Sequence, residues 1–293
     1  MSTMNELEQS FTDQGDKTRV NYKNMYKRLR PLLKQDVKDS SSEEIIDAIK
    51  NYDTTATSRK SMLNVAIVIW RANKKDLKDF IKYRDELAGD SFDESKEKDQ
   101  FIKSKGVTIK TLTDFMNNAF INEDYVKYVI NYLLLNFQVR NEDLDVIITT
   151  DKKQLNDTDN FIYLKRASAD YIRNKYKTVD TYGVQKHLIR NKNFIEALYQ
   201  ILDRGKEGVA ERKTDYLLKT GDKHVSVGYL NNYIAKNTYD NLGTSNYFKI
   251  MSTNKRNIEK MSMNRGTDPN TILHSYNLNK KVDLNKLKKK NTE

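Results

Sequence analysis

The chain has 293 residues, the length of one large domain or of two domains of ordinary size. It carries 52 lysines and arginines against 41 aspartates and glutamates, and the resulting net charge of +11 favours a polyanionic partner, nucleic acid first. Cysteine is absent, which excludes disulfides, cysteine nucleophiles and thiolate metal sites.

Other absences in the sequence narrow the class of protein. The three histidines have no metal-ligand spacing, so we expect no zinc site, and no pattern calls for a cofactor. No apolar run approaches the roughly 20 residues of a membrane span. Residues 1–16 are polar and acidic, unlike a secretory signal. We therefore expect a cytoplasmic or nuclear protein, or one packaged in a virion, with no membrane partner.

The first part of the chain predicts a flexible arm, a helical domain and a linker. The arm covers residues 1–16. Apolar spacing or a capped start predicts helices over 18–33, 40–52, 55–72 and 75–87, and Ser40 to Ser42 provide capping hydroxyls. The helical domain is thus predicted over 17–89, and residues 90–106, rich in Asp, Glu, Ser and Lys, predict the linker.

The second part, residues 107–279, predicts a mainly α domain with a small antiparallel β-sheet, an α+β fold. Short β-like runs separated by polar turns predict strands over 146–149, 161–164, 171–173 and 184–189. Apolar patterning predicts helices over 109–117, 123–137, 193–202, 227–235, 257–263 and 269–276. Residues 280–293 form a lysine-rich tail.

A motif near the end of the chain bears on chemistry. Gly266 and Thr267 precede Tyr276, which lies nine residues after Thr267. Pro269 suits the first turn of a helix that would present Tyr276 near its end, with Asp268 as its cap. A tyrosine hydroxyl presented in this way is a candidate nucleophile.

Three further segments precede this motif in a regular order. Arg140 follows the apolar helix, within the segment Val139-Arg140-Asn141-Glu142-Asp143-Leu144. Lys177 lies between two β-like runs, with Lys175 two residues before it on the same face of an extended strand. The segment Asn246-Tyr247-Phe248-Lys249 comes next.

In this order of residues the chain resembles the tyrosine recombinases, the phage-integrase family. The resemblance covers roughly residues 18–280. It implies a helical core-binding domain, a linker and a catalytic domain that together close around duplex DNA as a C-shaped clamp. It also implies DNA cleavage through a 3′-phosphotyrosine without a metal, followed by strand exchange in a tetramer on paired sites.

The resemblance assigns roles to the principal residues. Tyr276 would be the nucleophile, and Arg140 would hold two non-bridging phosphate oxygens with its planar fork. Lys177 would protonate the departing 5′ oxygen, with Lys175 as the competing candidate. Thr267 occupies the position of the family's second histidine, and its hydroxyl can still donate to a phosphate oxygen.

The middle segment departs from the family's pattern. Asn246 occupies the position of a histidine and Lys249 that of the second arginine, which keeps the charge but loses the bidentate fork. Arg256 and Arg265 are nearby guanidinium groups that could substitute for it or contact DNA. His274 is expected to pack or to contact a phosphate.

Alternatives remain open at this point. Arg140 could instead pair with Glu142 or Asp143 at a surface turn, and Tyr276 could be a packed interfacial residue among the 18 tyrosines. The whole chain could be a catalytically lapsed relative that binds, organises or packages DNA, including inside a virion. It could also be a type IB topoisomerase-like enzyme, or simply a generally basic protein. The composition alone suggests an AT-rich mobile element or a large DNA virus as the source of the sequence.

Overall fold

The computed structural model describes residues 16–203, 212–226, 228–253 and 258–278. The chain divides into two compact units, one ending at Phe101 and one beginning at Ile102. Each unit has its own apolar core. The predicted arm, apart from residue 16, and the predicted basic tail lie outside the described residues.

The first unit is helical, as its apolar spacing predicts. Its helices are α1 (Asp16–Leu29), α2 (Ser42–Lys50), α3 (Ala56–Ala72) and α4 (Lys78–Ser104), with a 3-10 turn at Arg30–Leu32. The Ser41 hydroxyl caps α2 by accepting the Glu44 N–H at 3.1 Å, and Thr55 caps α3 in the same way. The second and third helices thus lie close to their predicted positions, 40–52 and 55–72.

The core of the first unit forms around α3, the most apolar of its helices. Leu63, Val65 and Ala66 of α3 have no solvent exposure. Trp70 packs on Phe80 with 4.6 Å between ring centroids, and its indole N–H donates to the Val37 carbonyl at 2.9 Å. A helix that is apolar on nearly every face is thus buried at the centre of the bundle.

Helix α4 continues through the segment predicted to be a linker. Residues 90–104 are helical rather than an irregular connection, and the boundary between the two units falls inside this helix. Glu94 contributes to the first unit by accepting the Ala56 N–H at 2.6 Å. The contact satisfies one of the donors that a helix start leaves open.

The second unit combines helices with a five-stranded sheet. Its first helices are α5 (Ile109–Ile121) and α6 (Tyr125–Phe137). The strands are β1 (Val146–Thr149), β2 (Asn160–Lys165), β3 (Ser168–Arg173), β4 (Gln185–Ile189) and β5 (Thr214–Tyr216), with short 3-10 turns at Asn141–Leu144 and Lys152–Gln154. A short helix α7 (Val179–Tyr182) lies between β3 and β4, and a small hairpin pairs β6 (Lys219–Thr220) with β7 (Lys223–His224).

The sheet is mixed, so the prediction of a purely antiparallel sheet was wrong. The strand order is β4-β3-β2-β1-β5. β1 and β2 run parallel, with Ile148 opposite Ile162, whereas the other neighbouring pairs are antiparallel. Residues 150–159 cross over between β1 and β2 instead of forming a hairpin, and alternation of apolar residues does not report that difference.

The remaining helices complete the second unit. They are α8 (Lys192–Ile201), α9 (Leu230–Lys236), α10 (Thr244–Thr253), α11 (Ile258–Arg265) and α12 (Pro269–Thr271), followed by a π-helical turn at Ile272–Tyr276 and preceded by a 3-10 turn at Tyr239–Asn241. Helix α10 was not predicted. Asp268 caps α12 as expected, accepting the N–H groups of Asn270 and Thr271.

The core of the second unit joins these elements. Helices α6 and α8 pack against each other, and Tyr132 and Phe194 bring their ring centroids to 4.5 Å. Among the described helices, none is long and apolar enough to cross a membrane. The fold is α+β and mostly helical.

Candidate functional site

The turn at Gly266 and Thr267 lies at the centre of the candidate site. Gly266 follows the end of α11 with φ of +60°, a conformation that L side chains rarely adopt. A Cβ at this position would lie 2.3 Å from the Thr178 hydroxyl oxygen and 3.2 Å from the Tyr176 ring. Glycine is therefore required both by the backbone conformation and by the close approach of the β3–β4 connection.

Arg140 reaches this turn from the end of α6. Gln138 ends the helix in the left-handed conformation, and Arg140 follows half-buried. Its Nη1 donates to the Arg265 carbonyl at 2.6 Å, and its Nη2 donates to the Thr267 hydroxyl at 2.8 Å and to the Gly266 carbonyl at 3.3 Å. The guanidinium thus lies on the Gly266–Thr267 turn, although Arg140 and Thr267 are 127 positions apart.

The connection that carries Lys175 and Lys177 reaches the same turn. The Asn160 side chain holds both the N–H and the carbonyl of Lys175. The Thr178 hydroxyl donates to the Gly266 carbonyl at 3.0 Å. Lys175 and Lys177 are both exposed, and Lys177 lies between two residues, Tyr176 and Thr178, that contact the glycine turn.

Tyr276 ends the π-helical turn and is half-buried. Its carbonyl accepts the Ser252 hydroxyl at 2.8 Å, which ties the turn to α10. Its ring meets the Phe248 ring edge-on, with centroids 4.8 Å apart. The Arg265 guanidinium carbon lies 5.4 Å from the Tyr276 ring centroid, so the tyrosine neighbours the side chain of the residue that precedes Gly266.

Arg265 is a cation inside the site rather than on its surface. It is 2% exposed, its guanidinium lies 4.1 Å from the Phe248 ring centroid, and its Nη1 donates to the carbonyls of Gln138 and Val139. Burial, together with nearby Arg140, lowers its pKa to about 10, while Tyr276 opposes that shift. The Arg265 guanidinium therefore stays protonated near neutral pH and places a positive charge beside the Tyr276 ring.

A buried ion pair supports the site, and sequence reasoning did not identify it. Asp143 and Arg173 are joined at 2.6 Å, and neither side chain is exposed. Burial raises the pKa of the Asp143 carboxyl, an effect that Arg173 and the Arg140 N–H oppose. Asp143 lies three residues after Arg140 in the motif, which was a usable signal. Arg173 lies at the end of a β-like run, and nothing in the sequence around it indicated an ion pair.

The middle segment lies on α10, and one of its residues contacts the tyrosine. Phe248, the residue before Lys249, contacts both Arg265 and Tyr276. The side chains of Asn246 and Lys249 are half-buried on α10, and the Lys249 carbonyl accepts the Thr253 hydroxyl at 2.7 Å. Arg256 and the side chain of His274 lie outside the described residues.

The chemistry available to the site is that of cations and hydroxyls. Within residues 16–203, 212–226, 228–253 and 258–278, no group of three or more histidines, aspartates or glutamates is placed to hold a metal ion. Arg140, Lys175 and Lys177 can offer N–H donors to an anion, and Thr267 and Tyr276 carry hydroxyls.

Comparison of the chain with protein-family models, with curated proteins and with solved structures gave no match.

Proposed function

We propose that this chain binds duplex DNA and cleaves and rejoins it through Tyr276, as its resemblance to the tyrosine recombinases implies. One observation carries the proposal. Arg140 and Thr178, the latter next to Lys177, come from distant parts of the sequence and both bond the Gly266–Thr267 turn, while the Arg265 guanidinium lies beside Tyr276. The net charge of +11 supports a DNA partner.

The proposed reaction assigns each group one task. The Tyr276 hydroxyl gives its proton to a water molecule and attacks phosphorus, so that a 3′-phosphotyrosine bond forms while the bond to the 5′ oxygen breaks. Lys177 gives a proton to that leaving oxygen. Arg140 and Thr267 donate hydrogen bonds to the non-bridging oxygens, where negative charge must be stabilised. Rejoining reverses these steps, and exchange between two sites would use the tetramer implied by the resemblance.

A second candidate is a DNA-binding protein that has lost the chemistry and organises or packages DNA. Two observations favour it. The Arg140 fork is bonded to oxygens of its own chain, and Arg265, the nearest replacement for the missing second arginine, is 2% exposed. Lys249 keeps the charge of that arginine without its fork. In this case the basic surface would remain useful while Tyr276 served only in packing.

Covalent trapping distinguishes the two candidates. Nicked duplexes drawn from a randomised library are incubated with the full chain in EDTA, and protein–DNA adducts are resolved on denaturing gels. Cleavage predicts a metal-independent adduct that Tyr276→Phe abolishes without weakening DNA binding, because only the hydroxyl is lost.

Tyr229→Phe is the matched control, because Tyr229 is a 70% exposed tyrosine of the same unit. This variant should form the adduct at the wild-type rate. An adduct that survives in Tyr276→Phe would assign the attack to another residue. Complete absence of adduct, with DNA binding intact, would leave the non-catalytic candidate.

A further inference from the structure

Arg173, the last residue of β3, is a charged side chain without solvent exposure. Its Nη2 donates to Asp143 Oδ2 at 2.6 Å. The same carboxylate oxygen accepts the main-chain N–H of Arg140 at 2.8 Å. Arg173 is therefore linked through one carboxylate oxygen to the backbone of the residue that would hold the DNA phosphate.

The other side of the Arg173 guanidinium contacts the remaining segments of the site. Its Nη1 donates to the carbonyl of Asn264, two residues before Gly266. The guanidinium carbon lies 4.4 Å from the centroid of the Tyr176 ring, and Tyr176 directly precedes Lys177. Arg173 thus contacts the end of α11, just before the glycine turn, and the lysine loop, and it also bonds the carboxylate that accepts the Arg140 N–H.

The planar geometry of the group explains why an arginine serves here. A guanidinium has donors in fixed directions and can also stack on an aromatic ring. Arg173 uses both properties at once, because its two terminal nitrogens bond Asp143 and Asn264 while its guanidinium carbon lies over the Tyr176 ring. An apolar residue of equal volume could fill the space but could not set these three directions.

We propose that Arg173 is a positioning residue that holds Arg140, the Lys177 loop and the Gly266–Thr267 turn in register for one DNA phosphate. The proposal rests on the proposed function, since it concerns the same site. Arg173 itself touches no substrate, because it is fully buried. It acts through Asp143 and through the segments it contacts.

A double variant separates positioning from simple stabilisation. Arg173→Met alone leaves the buried Asp143 carboxylate without its charged partner, so a loss of thermal stability is expected whatever the role of Arg173. Asp143→Asn combined with Arg173→Met removes both charges, and much of the lost Tm should return. If Arg173 positions the site, the double variant still forms adduct about 100-fold more slowly, as a displacement of about 1 Å can produce.

Binding and control measurements sharpen this test. The Kd of the double variant for duplex DNA should stay near the wild-type value, because Lys175 and Lys177 keep their charges. The matched control is Asp114→Asn with Lys110→Met, which removes one charge of each sign from an exposed pair on α5. That control should change neither the adduct rate nor Tm appreciably.

A measurement without DNA keeps the proposal testable if no substrate cleaves. Side-chain ¹⁵N NMR of the full chain reports how firmly the Arg140 guanidinium is held, and an Arg140→Lys variant assigns its signals. In the wild type these signals should indicate a restrained group, and in the double variant they should shift and average, while the control leaves them unchanged.

The outcomes distinguish this proposal from the proposed function. Failure of every DNA to form adduct with the wild type would count against cleavage, and the NMR comparison would still decide the role of Arg173. A double variant that regains Tm and keeps the wild-type Arg140 signals, or that cleaves at the wild-type rate, would overturn the proposal. Arg173 would then only stabilise the fold.

Discussion

Replacing Gly266 with alanine is the sharpest test of how the candidate site is built. Two separate costs are expected. The left-handed backbone at φ +60° costs an alanine about 1–2 kcal/mol. The new Cβ would also lie 2.3 Å from the Thr178 hydroxyl oxygen, and overpacking of this kind typically adds about 1–3 kcal/mol. Gly266→Ala should therefore destabilise the second unit by about 2–5 kcal/mol.

Gly221→Ala is the matched control for the backbone term. Gly221 has φ of +58°, nearly that of Gly266, but a Cβ there would meet nothing within 4 Å. This variant should lose only about 1–2 kcal/mol. The difference between the two variants then measures the crowding at the centre of the site.

A second substitution tests which neighbour causes the crowding. Thr178→Ala removes the atom nearest to the new Cβ and leaves Tyr176 and Tyr182 at 3.2 and 3.3 Å. Thr178→Ala and Gly266→Ala should therefore be coupled, with the double variant less destabilised than the sum by about 0.5–3 kcal/mol.

Urea unfolding followed by far-UV circular dichroism measures these free energies, with the transitions of the two units fitted separately. Hydrogen–deuterium exchange locates the effect, which should appear in peptides covering residues 174–184 and 263–267. The reasoning is refuted if Gly266→Ala costs no more than Gly221→Ala, or if the coupling with Thr178→Ala is zero.

Two further predictions concern pH and salt. Burial lowers the pKa of His187 to about 4 from 6.5, so below pH 6.5 the unfolded chain binds a proton that the folded chain excludes. The free energy of unfolding should fall as pH falls from 6.5 to 4, by at most about 3 kcal/mol. Urea titrations of the wild type and of His187→Phe should differ by this pH dependence. Parallel pH curves for the two proteins would contradict the assignment. Duplex binding should weaken steeply with salt: the logarithm of the association constant should fall by about 0.9 per unit of log salt concentration for each neutralised phosphate. Fluorescence anisotropy titrations measure this slope. An affinity that does not change with salt would exclude DNA as the principal partner.

The elements that sequence patterns predict well are those whose signals are local. Helix α3 has a capping Thr55 and an apolar surface on nearly every face, and the structure begins it at Ala56. Pro269 and Asp268 likewise locate the start of α12. In these cases the side chain that sets the boundary lies within a few residues of it, so no distant contact is needed to predict it.

The predictions of secondary structure fail where contacts between residues distant in the sequence determine the structure. Residues 90–104 have the composition of a linker, but they contain no proline that would end a helix. Glu94, within this segment, accepts a hydrogen bond from the first residue of α3, a contact that the local sequence does not reveal. The parallel pairing of β1 with β2 depends on the crossover at 150–159, which alternation of apolar residues cannot reveal. Helix α10 is rich in Ser, Thr and Asn, residues of modest helix propensity, and Phe248 stabilises it through contacts with Arg265 and Tyr276.

The sequence motif selects residues, but it does not determine how they are arranged in space. The motif spacing selected Arg140, Thr267 and Tyr276; in the structure Arg140 bonds Thr267, and Tyr276 lies beside the Arg265 guanidinium. Nothing in the sequence indicated that Arg173 is buried, because a strand-end arginine is ordinarily solvated. Its burial follows from Asp143, which lies 30 positions away and compensates its charge.

The hydrogen bonding of Thr267 is compatible with the proposed binding of a phosphate, although Arg140 is bonded within its own chain. Its hydroxyl now accepts a hydrogen bond from Arg140 Nη2 at 2.8 Å. A hydroxyl can also donate, so a phosphate oxygen could accept from Arg140 and from Thr267 at the same time. The bond from Arg140 to the Arg265 carbonyl could then persist and keep the guanidinium oriented. Exchange of one side-chain hydrogen bond, rather than opening of the glycine turn, would therefore admit the phosphate.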